Sequence, residues 1–372
     1  MKLNLFAVVF LSSILFILSS FNNGFFYSKL NWDEVDYVNA AEQGIIINAL
    51  DGNDPSFIQF TKFGIAKYLN DPESIKKIAL SMGSEETQLF MLRHFHPPLP
   101  IYYWSLFIHE DTSTSDLLLR SSSLIFFIFF AVIFLLLGNK YSENTEPITR
   151  MQALLAISFF ASPIFFLGHW SLNFHIFHAL ACVFFSYCLK NYLQKPNKQN
   201  EWLTAISLAG LFLTLETGIF VAFIGFLILC FTRGLKFLLK KTFISLLLKS
   251  FVIFIMLWPG ALFSGGPLKS WLMYLYRIFA NSGDEYATVN ILSNYKNLLF
   301  LNPFLSIVSA ISILLILSNI RKSKQMNFII PLILGTAYCV FLTPFALNFT
   351  YFIPALSLVI FGLYTGLRRP NA

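Results

Sequence analysis

Three carboxylates stand within four residues near the start of the chain, where Asp33, Glu34 and Asp36 follow the first apolar run. A carboxylate held at a membrane surface can serve as a general base or bind a metal ion. Acidic residues also occur at helix N-termini, where they only complement the helix dipole. Residue type and spacing support both interpretations, and the first makes Asp33 and Glu34 candidate catalytic residues.

A second candidate motif lies sixty residues later and combines cations with prolines. Arg93 and His96 precede Pro97 and Pro98, and an aromatic run follows at 102–104. The prolines force a turn, and Tyr and Trp side chains are typical of the headgroup level of a bilayer. Arg93 can pair with a phosphate through two hydrogen bonds, and His96 can do so as imidazolium or through a neutral N–H. A solvated loop without a binding role is the alternative interpretation.

Four other charged residues are candidates for substrate contact. Arg120 lies near one end of an apolar run, and Glu216 lies inside another, where an ionisable residue usually has a function. Lys269 and Arg277 lie beside and within an aromatic stretch at 271–277 and could hold a phosphate. The competing interpretations are a water-exposed loop for Glu216 and interfacial anchoring for the two later cations.

Three of the histidines, His169, His175 and His178, lie close together in the sequence. A metal site needs converging ligands, and the favoured interpretation is that these side chains line a cavity or an interface. The sequence contains no Gly-rich phosphate loop and no metalloprotease histidine pair. The sequence therefore contains no motif that would support a reaction driven by a cytoplasmic nucleotide.

The amino-acid composition indicates which kind of secondary structure must position these residues. Of the 372 residues, 56% are hydrophobic and 12% are charged, and phenylalanine alone occurs 44 times. A soluble protein averages roughly 45–50% apolar and about 25% charged residues, and disordered chains are poor in aromatic residues. The chain is therefore predicted to be an all-α polytopic membrane protein.

Charge is distributed unevenly along the chain. Residues 21–117 contain 13 of the 19 acidic residues and 6 of the 26 basic residues. The other basic residues form short clusters between apolar runs, which is typical of cytoplasmic loops rather than of a nucleic-acid-binding surface. No nucleic-acid partner is expected, and residues 21–117 are predicted to lie on the extracytoplasmic side of the membrane.

The apolar runs predict about ten membrane-spanning or re-entrant segments. The first, 3–20, is interpreted as an uncleaved span with a cytoplasmic N-terminus, and a cleaved signal peptide is the alternative. The run 203–231 is too long for one straight span and has basic residues on both sides, so a hairpin with its tip at 216–218 is predicted. The other predicted spans are 118–138, 152–168, 174–192, 242–263, 303–318, 327–345 and 351–366.

Two regions are then left outside, the first loop at 21–117 and the second at 264–301. Within the first, 33–47 and 98–109 are candidate interfacial helices. No Pro- or Ser-rich linker marks a separate soluble domain, so residues 1–372 are predicted to form one transmembrane domain in contact with membrane lipid. The functional chemistry is expected on the outer face, where most carboxylates and all six histidines are predicted to lie.

Two of these motifs together resemble the GT-C membrane glycosyltransferases, in particular the protein O-mannosyltransferase and aminoarabinose-transferase branch. The matching residues are the pair Asp33-Glu34 after the first span and the run from His96 to Trp104, with its paired prolines at 97 and 98, before the second. Arg120 and the start of the last span near Tyr351 are also similar. Asp36 and His96 depart from the family pattern, which often has a basic residue at the first position and Lys at the second.

The resemblance implies a GT-C-like bundle that uses a polyprenyl-phosphate-linked sugar as donor and a hydroxyl group as acceptor. Transfer would invert the configuration at the anomeric carbon. Asp33 would be the catalytic base, Glu34 would support it or ligate a metal, and Arg93 or His96 would contact the donor phosphate. The departing phosphate needs positive charge, either from such cations or from a divalent metal.

A transporter or flippase for a lipid-linked or polyanionic substrate is the main alternative function. Such a protein should carry ionisable residues on broken helices near the bilayer midplane. Glu216 is the only carboxylate in any of the apolar runs, whereas acids crowd the first outer loop. The distribution favours an enzyme, while a noncatalytic scaffold is a third hypothesis. The sequence does not specify the sugar or the acceptor.

Overall fold

The computed structural model describes residues 5–22, 30, 32–50, 56–81, 96–141, 148–162, 172–265, 268–269, 310–311, 313–314, 326–342 and 349–367. Within these residues the secondary structure is helical and contains no strand, as the composition predicts. The α-helices are α1 (Leu5–Asn22), α2 (Trp32–Glu42), α3 (Gly44–Leu50), α4 (Phe57–Tyr68), α5 (Pro72–Ser81), α6 (Leu99–Ser105), α7 (Thr112–Tyr141), α8 (Arg150–Phe160), α9 (Phe174–Gln194), α10 (Lys198–Thr214), α11 (Gly218–Arg233), α12 (Lys241–Leu257), α13 (Ala261–Ser264), α14 (Met326–Leu342) and α15 (Ile353–Gly366). Short 3-10 helices occupy Leu235–Leu239 and Phe349–Phe352.

Two of the described helices are long and apolar enough to cross a bilayer. They comprise Thr114–Tyr141 in α7 and Phe174–Gln194 in α9, and several other apolar helices are shorter. The set is compatible with a helical membrane protein. The predicted span 303–318 falls almost entirely outside the described residues, and the total of about ten segments stays a prediction.

The apolar run 203–231 forms two helices, α10 and α11, separated by a turn at residues 215–217. Arg233 at the end of α11 donates a hydrogen bond to the carbonyl of Leu193, close to where α10 begins. At the other end, an added Cβ on Gly218 would lie 3.1 Å from the His178 ring. The two helices therefore run in opposite directions along α9. The predicted hairpin is confirmed as a fold, and its orientation in a membrane stays a prediction.

The helices pack closely around α9 and α15, and glycine sets several of the contacts. An added Cβ on Gly335 of α14 would lie 2.7 Å from the carbonyl oxygen of Ala355 in α15. An added Cβ on Gly225 of α11 would lie 2.8 Å from the ring of Phe185 in α9. Small residues at helix contacts are typical of helix association in membranes, because they allow the backbones to approach.

The bundle has two chemically different ends. At the basic end, α9 and α11 finish, α10 and α12 begin, and Lys190 donates to the Tyr141 carbonyl at the end of α7. At the polar end, α9 begins, the α10–α11 turn contains Glu216, and α12 finishes at Leu257. Tyr102 of α6 donates to the Leu257 carbonyl over 2.7 Å, which places α6 at the polar end.

Candidate functional site

The polar end brings together two residues that lie 120 positions apart in the sequence, His96 and Glu216. The Nδ1 atom of His96 lies 3.0 Å from Oε2 of Glu216. Glu216 is buried, and the His96 side chain is 13% exposed. A carboxylate at this distance orients an imidazole ring. The structure thus joins the proline-containing motif to the hairpin tip.

Aromatic rings enclose the His96 imidazole and fix its position. Its ring centroid lies 4.8 Å from that of Phe174 and 5.9 Å from that of Tyr37. Tyr37 in turn stacks on Trp104 with the centroids 5.7 Å apart. These contacts connect α2, α6 and the start of α9 in one buried cluster. The cluster excludes water on one side of the His96–Glu216 pair, which strengthens electrostatic interactions there.

Glu34 has a defined structural contact at the same end of the bundle. Its side chain is buried, and Oε1 accepts a hydrogen bond of 2.9 Å from the backbone N–H of Leu172. Leu172 directly precedes Asn173, whose side chain caps α9 by accepting from the His175 N–H at 2.8 Å. Glu34 therefore ties α2 to the entrance of α9, where the helix dipole favours negative charge.

Three buried nitrogen atoms near this contact have no hydrogen-bond partner in the described part of the chain. They are Nε1 of Trp104, Nδ2 of Asn173 and Nδ1 of His175. The Trp104 ring lies 5.2 Å from that of Phe174, which stands between Asn173 and His175 in the sequence. Across all the described residues, the other five buried side-chain atoms without a hydrogen-bond partner are hydroxyl oxygens. Unpaired buried nitrogens are uncommon in proteins, and a bound molecule that supplies oxygen atoms would satisfy them.

The histidines of α9 do not form a metal site with the other described residues. His178 Nδ1 lies 2.8 Å from the hydroxyl of Thr214, and its Nε2 lies 3.5 Å from the sulfur of Cys182. The ring of His175 packs edge-on against Tyr351. No group of three or more His, Cys, Asp or Glu side chains converges in the described ranges. The arrangement fits the interpretation that these histidines line an interface, and no step is assigned to a metal.

An apolar groove of about 610 Å³ runs between α3, α6, α7, α9 and α10. Its lining side chains come from Ile45, Leu99, Tyr102, Tyr103, Leu106, Phe126, Phe129, Ile133, Phe177, Leu180, Ala181, Phe184, Ile206, Ser207, Gly210 and Thr214. Along α10 it extends from residue 206 to residue 214, about 12 Å at 1.5 Å per residue. Thr214 hydrogen-bonds His178 and stands two residues before Glu216. The groove therefore begins beside the polar residues.

Tyr103 stands where the groove meets the aromatic cluster. Its hydroxyl donates a 2.7 Å hydrogen bond to the Ser122 carbonyl of α7, and its ring packs against Phe126 and Phe177. Burial raises the pKa of the Tyr103 phenol, and this outweighs the lowering by a hydrogen bond with the Ser122 side chain. The side chain thus stays neutral across the physiological range, and this part of the groove carries no charge from Tyr103.

The remaining predicted residues fall into two groups. Arg120 and Lys269 are buried, with 5% and 2% exposure. Burial contradicts interfacial anchoring of Lys269, because an anchor keeps its ammonium group in water. It also contradicts a water-exposed hairpin tip at Glu216, which is 3% exposed. Asp33 lies on α2, but its side chain is outside the description, as are Arg93, His169 and Arg277.

Some site residues had weak sequence signals. Tyr37 lies one helical turn after Asp33, and this i,i+4 spacing could have identified it. Trp104 belongs to the predicted aromatic run, although its burial against His96 and Phe174 depends on distant elements. The groove lining on α9 recurs at 177, 180, 181 and 184. That spacing marks one helix face without revealing that a groove lies beside it.

The chain was compared with family models, curated proteins and solved structures, and none of the three comparisons gave a match.

Proposed function

We propose that the chain is a polytopic membrane glycosyltransferase that moves a sugar from a polyprenyl-phosphate donor to a hydroxyl acceptor. The reaction takes place at the polar end of the bundle, on the extracytoplasmic side of the membrane. The observation that carries this proposal is an apolar groove that begins beside buried carboxylates, histidines and unpaired nitrogen atoms. An amphiphilic donor requires this combination, since its lipid tail and its sugar phosphate need opposite environments.

The groove suits an isoprenoid chain in both composition and position. Its walls are built almost entirely from apolar side chains, and its polar contributors include Ser207 and Thr214 on α10. A prenyl chain lying there would bring its phosphate to the end near Thr214 and Glu216. The unpaired nitrogens of Trp104 and Asn173 can only donate hydrogen bonds, and phosphate and sugar oxygens can accept them.

Asp33 acts as the base in the proposed reaction. The acceptor oxygen forms a bond to the anomeric carbon while its proton passes to the Asp33 carboxylate. The bond from that carbon to the phosphate oxygen breaks, and its electron pair stays on the departing polyprenyl phosphate. Attack opposite the leaving group inverts the configuration at the carbon. Arg93 and His96 stabilise the leaving phosphate, and Glu216 orients the His96 ring.

A transporter or flippase for a lipid-linked substrate is the second candidate. The buried Glu216 lies at a break between two apolar helices, which is an arrangement that transporters use for binding. Its partner His96 comes from the predicted outer loop, however, and Glu216 lies at one end of the bundle rather than at mid-length. The position of the pair therefore supports an enzyme over a transporter.

The two functions are separated by mass spectrometry of envelope glycans and lipid-linked sugars from cells with and without the gene. A transferase mutant lacks one sugar addition and retains the rest of each glycan, whereas loss of a flippase removes every structure built from the transported lipid. The variant Asp33→Asn should reproduce the deletion at normal protein level, because loss of a base costs about 10²–10⁴-fold in rate. Asp36→Asn is the matched control and should retain the sugar. Unchanged glycans in the deletion strain would refute the proposed transferase function.

A further inference from the structure

Helix α4 presents an exposed row of apolar residues that no described element covers. We call Ile58, Lys62, Ile65 and Leu69 the α4 stripe, since these positions lie on one face at i, i+4, i+7 and i+11. Ile58, Ile65 and Leu69 are 65%, 56% and 66% exposed, and Lys62 is also exposed. The buried face of α4 is different and contains Phe63 and Ala66. The stripe is therefore a surface of the folded protein.

The segment that contains the α4 stripe has a net positive charge, although the loop around it is acidic. Residues 57–81 hold four of the six basic residues of the first loop, 21–117, and only two of its 13 acidic residues. The four cations are Lys62, Lys67, Lys76 and Lys77, and all are exposed. The acids of the first loop would repel an anionic surface, whereas this one segment attracts it.

The contact of Phe57 with Gly265 places the start of α4 at the polar end of the bundle. Phe57, the first residue of α4, lies against Gly265, where an added Cβ would come within 2.9 Å of the Phe57 ring. Gly265 follows α13, which begins four residues after Leu257 ends α12. On the same chain segment Phe263 is 78% exposed. Apolar side chains are thus exposed at the level where the apolar helices finish.

We infer that the α4 stripe lies on the outer leaflet of the membrane and binds anionic lipid headgroups. Ile58, Ile65 and Leu69 enter the boundary between headgroups and acyl chains, and Lys62 pairs with headgroup phosphate. An exposed helix face that mixes large apolar residues with lysine is typical of interfacial helices. The net positive charge of residues 57–81 selects anionic over neutral lipid. The inference depends on the proposed membrane location and not on the transferase reaction.

The depth of labelled side chains in a bilayer tests this inference. The full-length chain is reconstituted in nanodiscs of phosphatidylcholine, with or without phosphatidylglycerol, and carries a spin label at Ile65→Cys. Lys67→Cys is the matched control, because residue 67 is two positions later on the same helix and about 200° around it. Accessibility to oxygen reports immersion in lipid, and accessibility to a nickel chelate reports exposure to water. The charge reversal Lys62→Glu is combined with each label.

We expect the label at position 65 to be reached by oxygen and protected from the chelate in discs that contain phosphatidylglycerol. The label at 67 should remain open to the chelate. Removing phosphatidylglycerol or introducing Lys62→Glu should raise chelate access at 65 several-fold. Equal chelate access at 65 and 67 would overturn the inference. Immersion of the label at 65 that is unchanged by the lipid charge and by Lys62→Glu would also overturn it. Spin–spin coupling between labels at 65 of two copies would identify a dimer contact instead.

Discussion

The two ends of the helix bundle satisfy their polar groups in different ways. At the basic end, Lys190 donates to the Tyr141 carbonyl, Arg233 donates to the Leu193 carbonyl, and Lys249 pairs with Glu201. Each of these contacts joins two helices. At the polar end, His96 and Glu216 pair with each other, while nitrogens of Trp104, Asn173 and His175 lack a described partner.

The difference indicates which end was shaped for stability and which for binding. Polar groups that bridge helices within the protein stabilise the fold and leave nothing for a ligand. Buried donors without partners cost free energy, of order 1–3 kcal/mol each, and persist where a bound molecule completes them. The comparison supports the proposed placement of the chemistry at the polar end, and three experiments test this from the largest expected effect to the smallest.

Removing the carboxylate charge from the polar pair at each end should have different consequences. Glu216→Gln removes the charge that orients His96, and a hydrogen bond to a charged group contributes about 1.5–3 kcal/mol. We expect kcat/KM for sugar transfer to fall roughly ten- to hundred-fold. Glu201→Gln, the matched variant at the basic end, removes the negative charge that Lys249 and Ser245 contact. It should lower Tm and leave kcat/KM unchanged, and the reverse pattern would contradict the comparison.

Replacing one tryptophan at a time should show whether the unpaired Nε1 of Trp104 contributes to sugar transfer. Trp104→Phe keeps an aromatic ring against Tyr37 and Phe174 but removes the unpaired Nε1–H. We expect a few-fold decrease in kcat/KM, because one neutral hydrogen bond contributes about 0.5–1.5 kcal/mol. Stability should hold, since an unpaired buried donor disappears. Trp258→Phe, in the separate cluster with Leu213, should lower Tm without changing kcat/KM. Equal kinetics for Trp104→Phe and the native chain would remove Nε1 from the site.

Topology is the prediction with the smallest effect on activity. Cysteines introduced at Lys198 and Lys236, at the basic end, should both react with an impermeant maleimide only after the cytoplasmic side is opened. The reason is that basic flanks stay in the cytoplasm. The unmodified chain, whose four cysteines are buried or partly buried, provides the background. Labelling of one position from outside and of the other from inside would contradict the hairpin, whereas labelling of both from outside would invert the whole assignment.

Much of the fold was predictable because it depends on local composition and charge. The helical class follows from apolar content, and the α10–α11 hairpin follows from the length of its run and its basic flanks. Boundaries differ where local geometry intervenes. The predicted helix 33–47 is divided into α2 and α3 at Gly44, which has a φ of 81°. The predicted span 118–138 lies within the longer α7, whose first turns are polar.

The candidate site was less predictable, because its parts meet only in the folded chain. His96 and Glu216 were each identified from their own surroundings, but their contact at 3.0 Å across 120 residues has no local signal. The groove also depends on the folded chain, since five helices contribute to its lining. Helices α4 and α5 were not predicted at all. Their short apolar stripes are diluted by lysine, whereas the predictions relied on long apolar runs.

The central claim is that the groove beside the polar end holds the lipid of a polyprenyl phosphate, and one binding measurement tests it directly. Gly210 faces open space in the groove, since an added Cβ meets nothing within 4 Å. Gly210→Leu therefore fills the groove without disturbing its walls. Gly64→Leu is the matched control, because Gly64 also lies in a helix with nothing within 4 Å but does not line the groove.

The dissociation constant of polyprenyl phosphate is measured by native mass spectrometry for the full-length chain and both variants in the same detergent. We predict that Gly210→Leu weakens binding at least tenfold, about 1.4 kcal/mol, while Gly64→Leu binds like the native chain. Equal affinity of all three proteins would contradict the account, because the lipid would then lie outside the groove.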